Sequence, residues 1–163
     1  MKTKNEIIKI AKISYIVSKI LYCLSFLACI VFIILAFVLS ANNPIESFAP
    51  AETGVFFGTL ALYSFMFIGL LWNVESLFKS IAKEQAPFSE SVSHYLKKIA
   101  IFIILVSVVP ALVGSCLAKI VYPTTELLFP IELSGVIAGI VLFLIGLSFK
   151  YGQELQRKDD ETL

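Results

Sequence analysis

Four long apolar runs, separated by gaps that alternate between basic and acidic, constrain this chain more than any other feature. The runs cover 20–40, 54–72, 99–117 and 133–149. At about 1.5 Å per helical residue, a run of roughly 20 crosses a hydrocarbon core about 30 Å thick. With 58% hydrophobic and 15% charged residues, disorder is excluded and an ordinary soluble domain is not expected. The four spans leave no room for a separate soluble domain. The expected class is all-α: one integral membrane domain over 1–163, built as a four-helix bundle.

Charge placement orients the bundle. Lys2, Lys4, Lys9, Lys12 and Lys19 precede the first span. Lys79, Lys83, Lys97 and Lys98 occupy the 73–98 gap, and Lys150, Arg157 and Lys158 follow the fourth span, whereas the other two gaps hold Lys119 alone. Twelve cations against one is a positive-inside pattern that places both termini and the middle loop in the cytoplasm. Glu46, Glu52, Glu126 and Glu132 fall on the opposite side. The first run exceeds a signal-peptide core and has 19 residues before it, so an uncleaved anchor is expected. Phe26-Leu27-Ala28-Cys29 loosely matches a lipidation box, but the span continues directly past Cys29. Cys23, Cys29 and Cys116 all lie in spans without metal-ligand spacing and read as packing.

Each half repeats a pattern. Pro50-Ala51-Glu52-Thr53-Gly54 through Gly58 reappears as Pro130-Ile131-Glu132-Leu133-Ser134-Gly135 through Gly139. The chain therefore reads as two repeated helical hairpins related by an axis along the membrane normal, or as two outer loops of similar composition. Small residues let helices approach closely in lipid. On that basis Gly54, Gly58, Gly135 and Gly139 are helix-packing candidates, with the second and fourth spans expected to cross there. A homodimer seam and no special role are the other readings.

The second helix is expected to outrun the bilayer as far as the break at Gln85-Ala86-Pro87, with Trp72 at the interface. Ser89 is the expected N-cap of a helix running through His94 into the third span, which Pro110 should kink. The lysines before the first span fall largely on one helix side, as in a segment facing anionic headgroups.

Reactive groups do not converge. His94 is the only histidine, and no phosphate loop, zinc motif or nucleophile elbow is present, so no catalytic, cofactor-binding or metal site is expected. Charged residues are missing from the span interiors, where transport of an ion would call for them. Function is therefore expected on the cytoplasmic loop and tail, whose modest positive balance suits membrane lipid or an acidic partner better than nucleic acid directly.

Two segments there carry a resemblance. Pro87-Phe88-Ser89-Glu90 with Leu96-Lys97-Lys98-Ile99-Ala100, and Phe149-Lys150-Tyr151-Gly152-Gln153-Glu154-Leu155-Gln156 with the close Asp159-Asp160-Glu161-Thr162-Leu163, resemble the bacterial four-span family labelled domain of unknown function 2975, the YoaS-like membrane proteins. Val92, Ala100, Arg157 and Lys158 depart from the family's Asn, Gly and Glu pair. The resemblance implies a multi-pass protein of the bacterial inner membrane without established activity. Family members commonly sit beside a small helix-turn-helix regulator, so the expected function is to bind or sequester such a regulator. Phe78, Phe88, Tyr95, Tyr151 and Leu155 would be apolar anchors, with Lys97, Lys98, Gln156 and Asp160 giving orientation. The other expectation is a small transporter or channel subunit acting as a homo-oligomer.

Overall fold

The computed structural model describes residues 2–42, 50–84, 89–121, 123 and 129–161. They form four helices, α1 (Lys2–Asn42), α2 (Pro50–Glu84), α3 (Glu90–Val121) and α4 (Leu133–Glu161). All four are long and apolar enough to cross a membrane. The lysines before the first span form no separate element: α1 is one helix of 41 residues, about 60 Å long at the α-helical rise.

Exposure fits lipid rather than water. Only 6% of the apolar window of α1 is buried, and Phe37 and Ile120 are 76% and 75% exposed. A soluble monomer rarely presents contiguous apolar surface on this scale. The chain is a multi-pass membrane protein.

The helices pack in chain order as antiparallel neighbours. Among the described residues, close backbone approach occurs between α1 and α2, α2 and α3, and α3 and α4, and between no other pair. The bundle is therefore an open row with α2 and α3 inside. The expected crossing of the second and fourth spans does not form.

Each seam rests on small residues or aromatic pairs. Along α1 the buried positions are Ala11, Ser18 and Cys29, and the Cys29 thiol donates to the Ala61 carbonyl of α2 at 3.6 Å. Tyr22 meets Trp72 edge-on at 6.0 Å, an aromatic pair suited to the membrane–water boundary. Between α2 and α3, a Cβ added at Gly114 would stand 2.7 Å from the Thr59 side chain, and one at Gly69 would stand 2.5 Å from Phe102. Leu77, Val92 and Ile99 form the buried cluster toward the lysine-rich end, with Leu142 and Phe149 of α4 packed against it.

The seam between α3 and α4 is glycine-built. Gly135 lies against Ser107, Gly139 against Ile104 and the Ala100 carbonyl, and Gly146 against Leu96 and Lys97. The motif at Gly135 and Gly139 therefore serves a helix contact, but to α3 and not to α2. Its counterpart behaves otherwise: Gly58 is exposed, with nothing within 4 Å of a Cβ built there, and Gly54 is half-buried. Cys23 and Cys116 are exposed, so of the three thiols only Cys29 packs within the chain as expected.

Local signals account for the helix ends. Ser89 caps α3, its hydroxyl accepting from the Val92 N–H at 3.4 Å, which satisfies one of the orphan donors of the first turn. The Glu132 carbonyl accepts from the N–H of Gly135 and of Val136 at 3.1 and 3.3 Å to open α4. α3 continues through Pro110, which is almost wholly enclosed. The segment before α4 is tied back to α3 by the Phe129 N–H donating to the Ser115 hydroxyl at 3.0 Å, while the Phe129 ring stacks on Phe56 of α2 at 6.3 Å.

Candidate functional site

The lysine-rich end is built from both ends of the chain and the α2–α3 corner. Its rigidity comes from polar as well as apolar contacts. The Ser93 hydroxyl of α3 donates to the Gly146 carbonyl of α4 at 2.9 Å. Asn73, 8% exposed, donates to the Gly69 carbonyl one turn earlier at 2.8 Å. In lipid such a side chain must find an acceptor, and its own helix supplies one.

The sequence-predicted residues separate into an inner and an outer group. Tyr95 packs against the Leu77–Val92–Ile99 cluster and meets the exposed His94 ring edge-on at 5.8 Å. Lys97 is half-buried, and its stem lies against Gly146, 3.0 Å from where a Cβ would stand. Phe78 on α2 is half-buried. These three serve the packing of the helix ends at least in part. The outer group comprises the exposed Lys98 and, on α4, Tyr151 and Leu155, which are 65% and 46% exposed. Tyr151 and Leu155 stand one turn apart and so share a face. Beside them Lys150 pairs with Glu154 at 3.8 Å, in the open, a pair of little energetic consequence. Phe88 and the side chains of Gln156 and Asp160 lie outside the described residues.

On the same α4 extension, Gln153 Nε2 is buried and has no hydrogen-bond partner among the described residues. An unmatched buried amide donor is uncommon in a folded protein. No sequence signal marks it, because its burial depends on the rotation of α4.

Sequence reasoning also missed two clefts. Between α1 and α2, Lys12, Tyr15, Lys79, Ala82 and Lys83 line an open cleft of about 370 Å³. Between α2 and α3, Ser76, Lys79, Ser80, Lys83, Ser91 and Tyr95 line a second of about 280 Å³. Lys79 and Lys83 belong to both and form the ridge between them. The spacing of Ser76, Lys79, Ser80 and Lys83 is a helical face legible in sequence, but the approach of Lys12 is not.

Elsewhere the hydroxyls of the spans bond within their own helices. Thr59 donates to the Val55 carbonyl at 2.8 Å, Ser107 to Ile103 at 2.9 Å and Ser148 to Leu144 at 3.0 Å. Among the described residues no three His, Cys, Asp or Glu side chains gather as a metal site would need.

No family model, curated protein or solved structure matches the chain.

Proposed function

We propose that the chain is a regulatory partner in the bacterial cytoplasmic membrane, with both termini and the lysine-rich end in the cytoplasm. There it binds or sequesters a small helix-turn-helix transcription regulator. The observation that carries this reading is the exposed Tyr151–Leu155 face. Counted from Leu133, Tyr151 is the nineteenth residue and Leu155 the twenty-third, so this face stands where α4 leaves a hydrocarbon core that about twenty residues cross. Gly139, Gly146 and Ser93 hold α4 firmly on α3 as far as the membrane boundary. A partner would therefore meet a pre-ordered helix, which lowers the entropic cost of docking. Aromatic and large apolar side chains of this kind dominate interface energetics.

The test is co-elution of the detergent-solubilised full chain with a small helix-turn-helix regulator of the kind that commonly sits beside the family it resembles. Tyr151→Ser combined with Leu155→Ser should abolish co-elution while leaving helix content unchanged. Undiminished co-elution by that variant would refute the docking face. The transporter or channel reading gains no support from Thr59, Ser107 or Asn73, whose donors are each occupied by a carbonyl one turn back in the same helix.

A further inference from the structure

We propose that the two clefts flanking Lys79 and Lys83 form a binding site for a phosphate-bearing anion, supplied either by an anionic glycerophospholipid or by a small soluble phosphorylated compound. The inference does not rest on the regulatory reading above.

Charge is the first ground. Lys12, Lys79 and Lys83 converge on one cleft from two helices that are distant in sequence. Among the described residues no carboxylate pairs with any of the three. Three cations lining one cleft, largely through their stems, repel one another, and a shared anion relieves that repulsion. Chemical complementarity is the second ground. The adjoining cleft presents Ser76, Ser91 and Tyr95 beside the same two lysines. Hydroxyl donors beside ammonium groups suit the several acceptor oxygens of a phosphate.

Depth is the third ground. Lys79 lies seven residues beyond Trp72, about 10 Å along the helix, whereas each headgroup layer is roughly 5–8 Å thick. Side chains on a helix lean toward its N-terminus. The N-terminus of α2 is at the opposite membrane face, so Lys79 leans back toward the bilayer and reaches the level of lipid phosphates, while Lys83, one turn further on, lines the same cleft from its aqueous side. Tyr15 and Ala82 supply the apolar part of the wall that a glycerol backbone requires. Basic pockets between membrane helices at this depth are physically suited to headgroup phosphates.

The experiment uses the purified full chain in a neutral detergent, with binding read by native mass spectrometry. The probes are phosphatidylglycerol, zwitterionic phosphatidylcholine and glycerol 3-phosphate. Lys79→Gln with Lys83→Gln should weaken phosphatidylglycerol binding roughly thirtyfold, at about fivefold per lysine near a membrane surface. Lys98→Gln with Lys150→Gln removes the same charge at the same end, outside the clefts, and should weaken it less than about threefold, because exposed charges that do not touch the phosphate are screened by water and salt. Lys79→Arg with Lys83→Arg should retain binding, which separates loss of the site from loss of the fold. If glycerol 3-phosphate binds with the same lysine dependence and phosphatidylglycerol does not, the site stands and its ligand is soluble. Equal weakening by the two Gln pairs would show bulk surface charge and overturn the proposal. So would the lack of any preference for phosphatidylglycerol over phosphatidylcholine combined with no binding of glycerol 3-phosphate.

Discussion

Two glycines that look equivalent in sequence should respond oppositely to the same methyl group. A Cβ at Gly139 would stand 2.9 Å from the Ala100 backbone oxygen and 2.5 Å from Ile104 Cγ1. The Ile104 side chain can rotate, but Ala100 is 0% exposed and its carbonyl is held within α3. Relief requires α3 and α4 to part by about 0.5–1 Å to reach ordinary van der Waals separation. Overpacking of this kind costs about 1–3 kcal/mol. Replacing Gly by Ala inside a helix recovers up to about 1 kcal/mol, so Gly139→Ala should lose roughly 1 kcal/mol net. Gly58 meets nothing within 4 Å, leaving only the propensity gain of up to about 1 kcal/mol for Gly58→Ala. Because the backbone term is common to both, the difference isolates the steric part, about 2 kcal/mol or some thirtyfold in the unfolding equilibrium. The assay is titration of each purified variant from mild detergent into dodecyl sulfate, followed by far-ultraviolet circular dichroism. Equal midpoints for the two variants would refute the reasoning. Destabilisation at Gly58 with altered oligomeric mass would refute it differently, by showing a second copy seated there.

Further substitutions test other contacts. Ser93→Ala removes the 2.9 Å bond to Gly146 and should cost about 0.6 kcal/mol, the average for interhelical hydrogen bonds in membranes, measured by the same titration. Gln153→Met replaces a buried, unmatched donor with an apolar chain of similar length. It should raise stability by about 1 kcal/mol, and a fall of that size would show that Nε2 has an acceptor after all. Thr59→Val keeps the shape packed on Gly114 and removes only a hydroxyl bonded within its own helix, so solute flux into proteoliposomes should be the same for both proteins. A solute-specific flux lost in the variant would revive the transporter reading.

The number of helices and the separation of basic from acidic ends were legible because solvent selects them locally. A run such as 20–40 has one stable form in lipid, and Ser89 announces the start of α3 by its own chemistry. Partner choice was not legible in this way. The spacing of Gly135 and Gly139 reveals that one face of α4 is bare, but not which neighbour will use it. The open row gives that face to α3 and leaves Gly58 without a contact. Gly114, flanked by the buried Ala111 and Ala118, carried an overlooked small-residue signal. Lys12 and Lys79 lie 67 positions apart, and only the rotation of two long helices brings them to one cleft. For the predicted partner-binding residues, sequence does not tell the direction each side chain faces. Lys97 is turned inward, while Tyr151 is turned outward.

The serial arrangement leaves α1 attached along a single flank, with no return contact to α3 or α4 among the described residues. That one flank is nevertheless the most extensive of the three seams, so α1 and α2 behave as a single hairpin, and any parting of the row falls at the lesser contacts on either side of α3. An anion bridging Lys12 and Lys79 would then sit within the firmest seam of the molecule.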